Sequence, residues 1–229
     1  MTIGRSRLWA ALAALTGLAS AAVTVAFQQL AAVKAAGTCM SSGAVIQFEF
    51  ARTAAELAAV FGPAACRAPT LAAMDAINHL DIAAYIPAYT AFGICAAMWL
   101  GRRARAPLVR AAIAAAAVAF VADMVETTTL LQITKDLAAA EPLLPRSSTA
   151  AWIKFAALAA HALLLALLCL RATPRRRILA VLVVLPAIGT IAARIDPAAN
   201  TPLMTLGFAL AWMAMLLLAG RETIWPRKT

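Results

Sequence analysis

Apolar residues occur along this chain in long runs that few charged residues interrupt. About six of these runs are long enough to cross the roughly 30 Å hydrocarbon core of a bilayer at 1.5 Å per residue. The pattern predicts an all-α integral membrane bundle of about six transmembrane helices, formed by a single membrane domain over residues 1–229. The predicted spans are 8–33, 80–100, 108–132, 150–170, 177–195 and 202–220.

The longest stretch between spans, residues 34–79, is predicted to be an outside loop with structure of its own. Thr53 followed by Glu56 fits a capping box, and the Gly-Pro pair at 62–63 fits a helix stop. We therefore expect a short helix over about 54–61 within this loop, lying at the membrane interface or capping the bundle.

The end of the same loop predicts a second helix start. Thr70 fits an N-cap, from which one helix is expected to run through the second span. Pro87 is expected to interrupt that helix, because proline lacks the backbone N–H that the helix needs.

Composition and charge narrow the class of protein. The chain is 64% hydrophobic and only 13% charged, well outside the range of soluble domains. Its net charge of +10 does not indicate nucleic-acid binding, because the basic residues form no face or stripe. They cluster at 5–7, 102–110, 171–177 and 221–228, at the ends of apolar runs. By the positive-inside rule this predicts a membrane protein with both termini in the cytoplasm, and the high Ala and Arg content indicates a bacterial inner membrane.

The N-terminal run also has features of a signal peptide. Arg5 and Arg7 precede it, and residues 19–22 resemble a cleavage site. Hydrophobicity nevertheless continues through Phe27, which favours an uncleaved anchor helix. Cleavage would leave five spans and an outside N-terminus.

Four cysteines are too few for a disulfide scaffold, and none forms a C-x-x-C pair. Cys39 and Cys66 flank the predicted loop helix and are able to pair if the loop faces an oxidising compartment. We interpret them as a structural disulfide, although the sequence leaves open whether it forms. Cys95 and Cys169 lie inside predicted spans and are interpreted as buried thiols.

Polar residues inside the predicted spans are the candidate functional positions, because each ionisable group there costs about 2.5–3.5 kcal/mol on insertion scales. Their spacings of three, four or seven residues place neighbours on shared helical faces. They are Asp81, Tyr85 and Tyr89 in the second span, Asp123 and Glu126 in the third, Lys154 and His161 in the fourth, and Arg194 in the fifth. Counted by helix rise, most fall in the outer half of the bilayer, which predicts one polar pocket that opens outward.

Each candidate residue has an expected role in this pocket. Asp123 is the candidate acid, and Glu126 or His161 is the candidate partner that returns the proton. The candidate ligand-binding residues are Asp81, Tyr85, Tyr89, Lys154 and Arg194. No metal site is predicted, because the spacing matches no established ligand motif, and the sequence names no cofactor.

A structural interpretation of the same residues stands beside the functional one. Lys154 is able to pair with Glu126 as a buried ion pair, or to extend to the membrane interface. The tyrosines then belong to an aromatic belt, and His161 is a hydrogen-bonded core residue.

Three short motifs occur in a suggestive order. Residues 48–51 read Phe-Glu-Phe-Ala, the second span opens with Leu-Asp at 80–81, and residues 123–126 read Asp-Met-Val-Glu. This order resembles a group of uncharacterised bacterial multi-pass inner-membrane proteins with an F-E-x-A loop helix, an L-D span start and a D-x-x-E-N span. The resemblance covers about 45–132 and departs from the group at Thr127, where the group has Asn. It implies a common fold and a shared site at the acidic residues of the two spans, but no reaction.

Three functions fit these features. The first is binding or acid–base processing of an apolar, lipid-like small molecule, and the sequence does not decide between a binding protein and an enzyme. The second is an accessory or assembly subunit with a membrane-protein partner, for which Ala-rich helices are suited. The third is a proton-coupled transporter, although the polar residues occupy only one half of the membrane.

Overall fold

The computed structural model describes residues 3–172 and 177–225, and the regular elements in these ranges are all helical. Five helical segments are long and apolar enough to cross a membrane: Arg7–Gln29, Ala64–Leu100, Ala106–Ile133, Glu141–Arg171 and Ala199–Ile224. The fifth predicted span, 177–195, corresponds to a shorter apolar helix, Leu179–Ile195. The prediction of an all-α membrane protein is confirmed. Of the predicted basic clusters, Arg175, Arg176, Arg227 and Lys228 lie outside the described residues.

The α-helices are numbered here in chain order. They are α1 (Ile3–Gln29), α2 (Ala31–Ala36), α3 (Ala44–Phe50), α4 (Ala54–Phe61), α5 (Ala64–Leu80), α6 (Ile86–Leu100), α7 (Ala106–Ile133), α8 (Leu144–Ala172), α9 (Arg177–Ile195) and α10 (Pro197–Ile224). Large apolar side chains on the long helices, such as Val121, Ile191 and Leu217, are more than half exposed and provide the surface that contacts lipid.

The predicted loop helix is confirmed as α4, with the ends expected from the sequence. The Thr53 hydroxyl accepts a hydrogen bond from the Glu56 backbone N–H at 3.1 Å, and the Glu56 carboxylate accepts one from the Thr53 N–H at 3.2 Å. Gly62 ends the helix with φ of 67°, a conformation that side chains with a Cβ rarely adopt. The buried side chains of α4 include Phe61, which packs edge-to-face on Phe48 of α3.

The second-span helix begins earlier than predicted, and the interpretation of Thr70 as its N-cap is wrong. The helix starts at Ala64, directly after Pro63, whose fixed φ suits a helix start. Thr70 lies fully buried inside α5, where its hydroxyl donates a hydrogen bond to the Cys39 carbonyl at 3.4 Å. A side chain engaged in this tertiary contact is not available to cap a helix.

The first span is also interrupted. It ends at Gln29, and Leu30 then adopts an extended conformation (ψ 130°) before the short helix α2. The predicted span over 8–33 is therefore two helices.

The interruption expected at Pro87 takes the form of a π-helical turn at Asp81–Tyr85, between α5 and α6. The Ile86 N–H donates to the Asp81 carbonyl, five residues back, so one extra residue is accommodated in the turn. Pro87 follows directly, at a position where its missing N–H is tolerated. The turn carries two of the candidate residues, Asp81 and Tyr85.

The chain forms two compact units, each assembled from separate stretches of the sequence. Unit 1 comprises Met1–Ser20, Ala88–Ala119 and Phe155–Thr229; unit 2 comprises Ala21–Pro87 and Phe120–Lys154. The core of unit 1 is rich in alanine around the fully buried Trp99. The core of unit 2 contains Phe48, Phe61 and Met74.

Unit 2 contains a disulfide between Cys39 and Cys66. It joins the short 3-10 turn after α2 to the first turn of α5, across a sequence separation of 27. Cys95 and Cys169 are buried and take no part in this disulfide. The loop between α1 and α5 is thereby held at both of its ends.

In unit 1, α9 and α10 pack at close range because glycines lie at their contact. A Cβ at Gly189 would lie 2.6 Å from Met204 Cα, and a Cβ at Gly207 would lie 2.9 Å from the Leu185 carbonyl oxygen. Small residues of this kind allow helix backbones in a membrane to approach closely.

We expect Gly189→Ala to lower the free energy of unfolding by about 1–3 kcal/mol, because backbone atoms must move to admit the methyl group. The matched control is Gly220→Ala on α10, where no atom lies within 4 Å of the new Cβ. Thermal unfolding of both variants in the same detergent is the measurement. Equal stability of the two variants would show that the close contact between α9 and α10 is absent.

Candidate functional site

Lys154 on α8 lies at the centre of a cluster of three carboxylates in unit 2. Its ammonium nitrogen is 2.8 Å from Glu126 Oε2, 3.1 Å from Glu49 Oε2 and 3.2 Å from Asp123 Oδ1. The side chains are almost completely buried, with exposed fractions from 1% for Glu126 to 11% for Glu49. The contact with Glu49 is a charge-assisted hydrogen bond, and all three ion pairs are buried where solvent screens them little.

Three helices position the members of this cluster. Asp123 and Glu126 are three residues apart on α7, so they share one helical face as the spacing predicted. Glu49 comes from α3, and the phenylalanines on either side of it hold that short helix in place. Phe48 packs on Phe61, and the ring of Phe50 lies 4.5 Å from that of Trp152 on α8.

The cluster has more negative than positive charge. Lys154 supplies one ammonium, and three carboxylates lie within 3.2 Å of it. Burying an unpaired carboxylate is strongly unfavourable. Glu49, which lies outside the membrane-spanning segments, shows the effect: burial raises the pKa of its carboxyl, against the opposing influence of the Lys154 ammonium.

A cavity of about 750 Å³ lies in unit 2 beside this cluster. Glu49 lines it, together with Asp81 from the π-helical turn, and Asp81 Oδ2 accepts a hydrogen bond from the Thr127 hydroxyl at 3.1 Å. Tyr85 and Phe27 also line it, and their rings meet edge-to-face at 5.5 Å. The cavity thus has two acidic groups and an aromatic wall.

Several other polar residues line the cavity, among them Asn78 on α5. It is 4% exposed, and its amide nitrogen has no hydrogen-bond partner among the described residues. A buried amide N–H without a partner is unfavourable by about 1–3 kcal/mol, so an acceptor brought to this nitrogen would be stabilising.

The structure brings together some of the predicted site residues. Lys154 contacts Asp123 and Glu126 directly, while Asp81 and Tyr85 lie at the neighbouring cavity. Lys154 is buried and bonded to carboxylates, so it does not extend to the membrane interface.

The remaining predicted residues belong to unit 1. The His161 ring is buried with Nδ1 2.8 Å from the Ala112 carbonyl oxygen, and Nε2 borders a cavity of about 20 Å³, room for one water molecule. Tyr89 is buried with its ring 5.6 Å from that of Trp212. Arg194 lies exposed in the last turn of α9. These contacts of His161 and Tyr89 lie within unit 1.

Glu49 was not among the predicted site residues, although it lies in the Phe-Glu-Phe-Ala motif. The available signal was a glutamate between two phenylalanines in a segment that was expected to be loop. Two anchoring rings on a short helix place the residue between them in a buried position. A charged residue so placed needs a buried partner.

The cluster is not arranged to bind a metal ion. Within residues 3–172 and 177–225, no group of three or more His, Cys, Asp or Glu side chains is placed to coordinate one. The Lys154 ammonium occupies the position between the carboxylates where a cation would lie.

Comparison of the chain with protein-family models, with curated proteins and with solved structures finds no match. The resemblance to bacterial multi-pass proteins inferred from the three motifs therefore stays a prediction, and the function is argued from the site alone.

The surplus of carboxylates predicts that removing the Lys154 ammonium destabilises the fold much more than neutralising one carboxylate does. We expect Lys154→Met to lower the free energy of unfolding by about 3–5 kcal/mol, because three buried carboxylates lose the cation that they share. Glu126→Gln removes one surplus charge and keeps an oxygen for the ammonium, so its effect should be no more than about 1 kcal/mol. Thermal unfolding in detergent measures both. Equal destabilisation by the two substitutions would contradict a surplus and indicate a balanced pair.

The raised pKa of Glu49 predicts that the stability of the fold depends on pH. Its pKa is higher in the folded than in the unfolded chain, so the folded state binds the proton more tightly. The stability of the wild type relative to Glu49→Gln should be greatest below the ordinary pKa of 4.5 and fall as pH rises through the raised value. Melting temperatures of both proteins, measured from acidic to mildly alkaline pH, test the sign. A difference that grows in favour of the wild type with rising pH would contradict it.

Proposed function

We propose that this protein binds a small amphiphilic, lipid-like molecule in the cavity of unit 2. The polar end of the molecule would contact Glu49 and Asp81, and its apolar part would lie against Phe27 and Tyr85. The observation that carries the proposal is that two acidic side chains, one of them part of the Lys154 cluster, line a cavity of about 750 Å³. Ligand sites in proteins have volumes of roughly this size, with apolar walls and a few placed polar groups.

A purely structural role accounts less well for these residues. An ion pair that only fastens helices needs equal numbers of opposite charges, whereas this cluster has three carboxylates for one ammonium. Asp81 adds a fourth carboxylate beside the cavity, bonded to the Thr127 hydroxyl. Acidic side chains in spanning helices are costly, and they are typically retained where they serve a function.

Within this proposal, the residues divide into those that contact the ligand and those that position them. Glu49, Asp81 and Tyr85 line the cavity. Asp123, Glu126 and Lys154 lie behind Glu49 and hold its carboxylate by the shared ammonium. This division favours a binding protein over an enzyme with Asp123 as its acid, because the candidate acid does not border the cavity.

We further propose that the protein lies in a bacterial inner membrane with both termini in the cytoplasm. The clusters of basic residues between the apolar runs support this orientation. It places the disulfide-bonded loop on the outer side, where the Cys39–Cys66 bond would persist in an oxidising compartment. The cavity, which this loop lines in part, would then be reached from outside.

The test is retention of a small molecule by the purified protein. Native mass spectrometry of the full chain, released from nanodiscs, should show a bound species that Tyr85→Ala loses, because the aromatic wall is removed. The matched control is Glu141→Gln, which removes an exposed carboxylate of unit 2 that does not line the cavity. Identical adducts on the wild type and on Tyr85→Ala would place the bound molecule elsewhere and contradict the proposal.

A further inference from the structure

Given the proposed binding function, we infer that the molecule bound in the unit 2 cavity is a monocation, an organic ammonium compound that also carries a hydrogen-bond acceptor. The charges, the aromatic wall and one unpartnered amide around the cavity each support part of this assignment.

The charges near the cavity call for a positive occupant. The only ammonium in the cluster, that of Lys154, is already shared by three carboxylates within 3.2 Å. Asp81, the second acidic side chain at the cavity, accepts a hydrogen bond from the Thr127 hydroxyl at 3.1 Å, a neutral donor that does not offset its charge. A cation between Glu49 and Asp81 would therefore bring the buried charges closer to balance, whereas an anion would be repelled by both.

Lys34 also lines the cavity and does not remove this preference. Lys34 is exposed, and its ammonium donates a hydrogen bond to Gln29 Oε1 at 2.7 Å. The charge of an exposed side chain is screened by water and salt, whereas the buried carboxylates are not.

The aromatic wall suits an organic rather than an inorganic cation. Phe27 and Tyr85 meet edge-to-face at 5.5 Å, so the rings are held in place before a ligand arrives. Aromatic faces attract ammonium groups, most strongly those whose methyl groups have already weakened their hydration. A cavity of about 750 Å³ is also far larger than a metal ion needs.

Asn78 adds a second requirement, for a hydrogen-bond acceptor on the ligand. Its amide nitrogen is buried at the cavity and has no partner among the described residues. It needs an acceptor, such as a hydroxyl or carbonyl oxygen on the ligand. A compound with an ammonium and an oxygen satisfies both the carboxylates and this amide.

Choline and its uncharged carbon isostere 3,3-dimethylbutan-1-ol (dimethylbutanol) isolate the effect of charge, because they have nearly the same shape and the same hydroxyl. Binding is measured by calorimetry on the full chain in nanodiscs, with empty nanodiscs as the baseline. We expect choline to bind at least about tenfold more tightly than dimethylbutanol. Hexyl(2-hydroxyethyl)dimethylammonium, which adds an apolar chain and keeps the hydroxyl, should bind more tightly still; if it does not, a free ammonium compound rather than an amphiphile is the ligand.

Asp81→Asn connects the preference to the cavity. Asparagine keeps an oxygen for the Thr127 hydroxyl, so the fold should be retained. The affinity for choline should fall about tenfold or more, while that for dimethylbutanol stays unchanged. Glu141→Gln, which removes a charge of the same sign away from the cavity, should change neither affinity.

The outcomes separate this inference from the proposed function. Equal affinity for choline and dimethylbutanol, with both lost in Tyr85→Ala, would overturn the cationic ligand but retain the binding cavity. An equal loss of choline affinity in Asp81→Asn and in Glu141→Gln would show a general field effect and overturn the inference too. No saturable binding of any of the three probes would overturn the inference, while the proposed function would still stand if native mass spectrometry shows a bound species that Tyr85→Ala loses.

Discussion

The buried ammonium of Lys154 is the constraint on which the rest of unit 2 depends. A lysine in a spanning helix is tolerated only if anionic partners surround it, and here α7 supplies two and α3 a third. Glu49 reaches the ammonium because aromatic contacts on both of its sides seat the short helix α3. The short helix α3 therefore contributes a side chain to the buried ion-pair cluster of unit 2.

Three local irregularities shape the cavity beside this core. The π-helical turn before Pro87 carries both Asp81 and Tyr85. The break at Leu30 ends α1 shortly after Phe27, and the disulfide between Cys39 and Cys66 closes the following segment back onto α5. The π-helical turn and the break at Leu30 interrupt otherwise continuous helices. Together with the disulfide they leave space lined by acidic, amide and aromatic groups. Functional sites in membrane proteins commonly coincide with such interrupted helices, because irregular backbone needs a cavity or protein partner.

Unit 1 is built on a different principle. Its core is rich in alanine, and the contact between α9 and α10 depends on glycines that admit backbone atoms at close range. Some of its buried polar groups bond within the unit: Trp99 donates to Glu222, and the His161 ring bonds a backbone carbonyl. Such packing stabilises helices by contact area and leaves little internal space.

The sequence by itself determined the helical membrane class, the loop helix α4 and the shared face of Asp123 and Glu126. These follow from local quantities: run length, capping residues and the helical repeat. It predicted Thr70 wrongly, because a capping signal does not reveal that a hydroxyl is needed for a tertiary contact. Only the tertiary structure decided that Glu49 meets Lys154, 105 residues away, and that His161 and Tyr89 belong to a different unit from the carboxylates. Helix rise gives the depth of a side chain but not the direction in which its helix faces, and that direction is set by packing against neighbours distant in sequence.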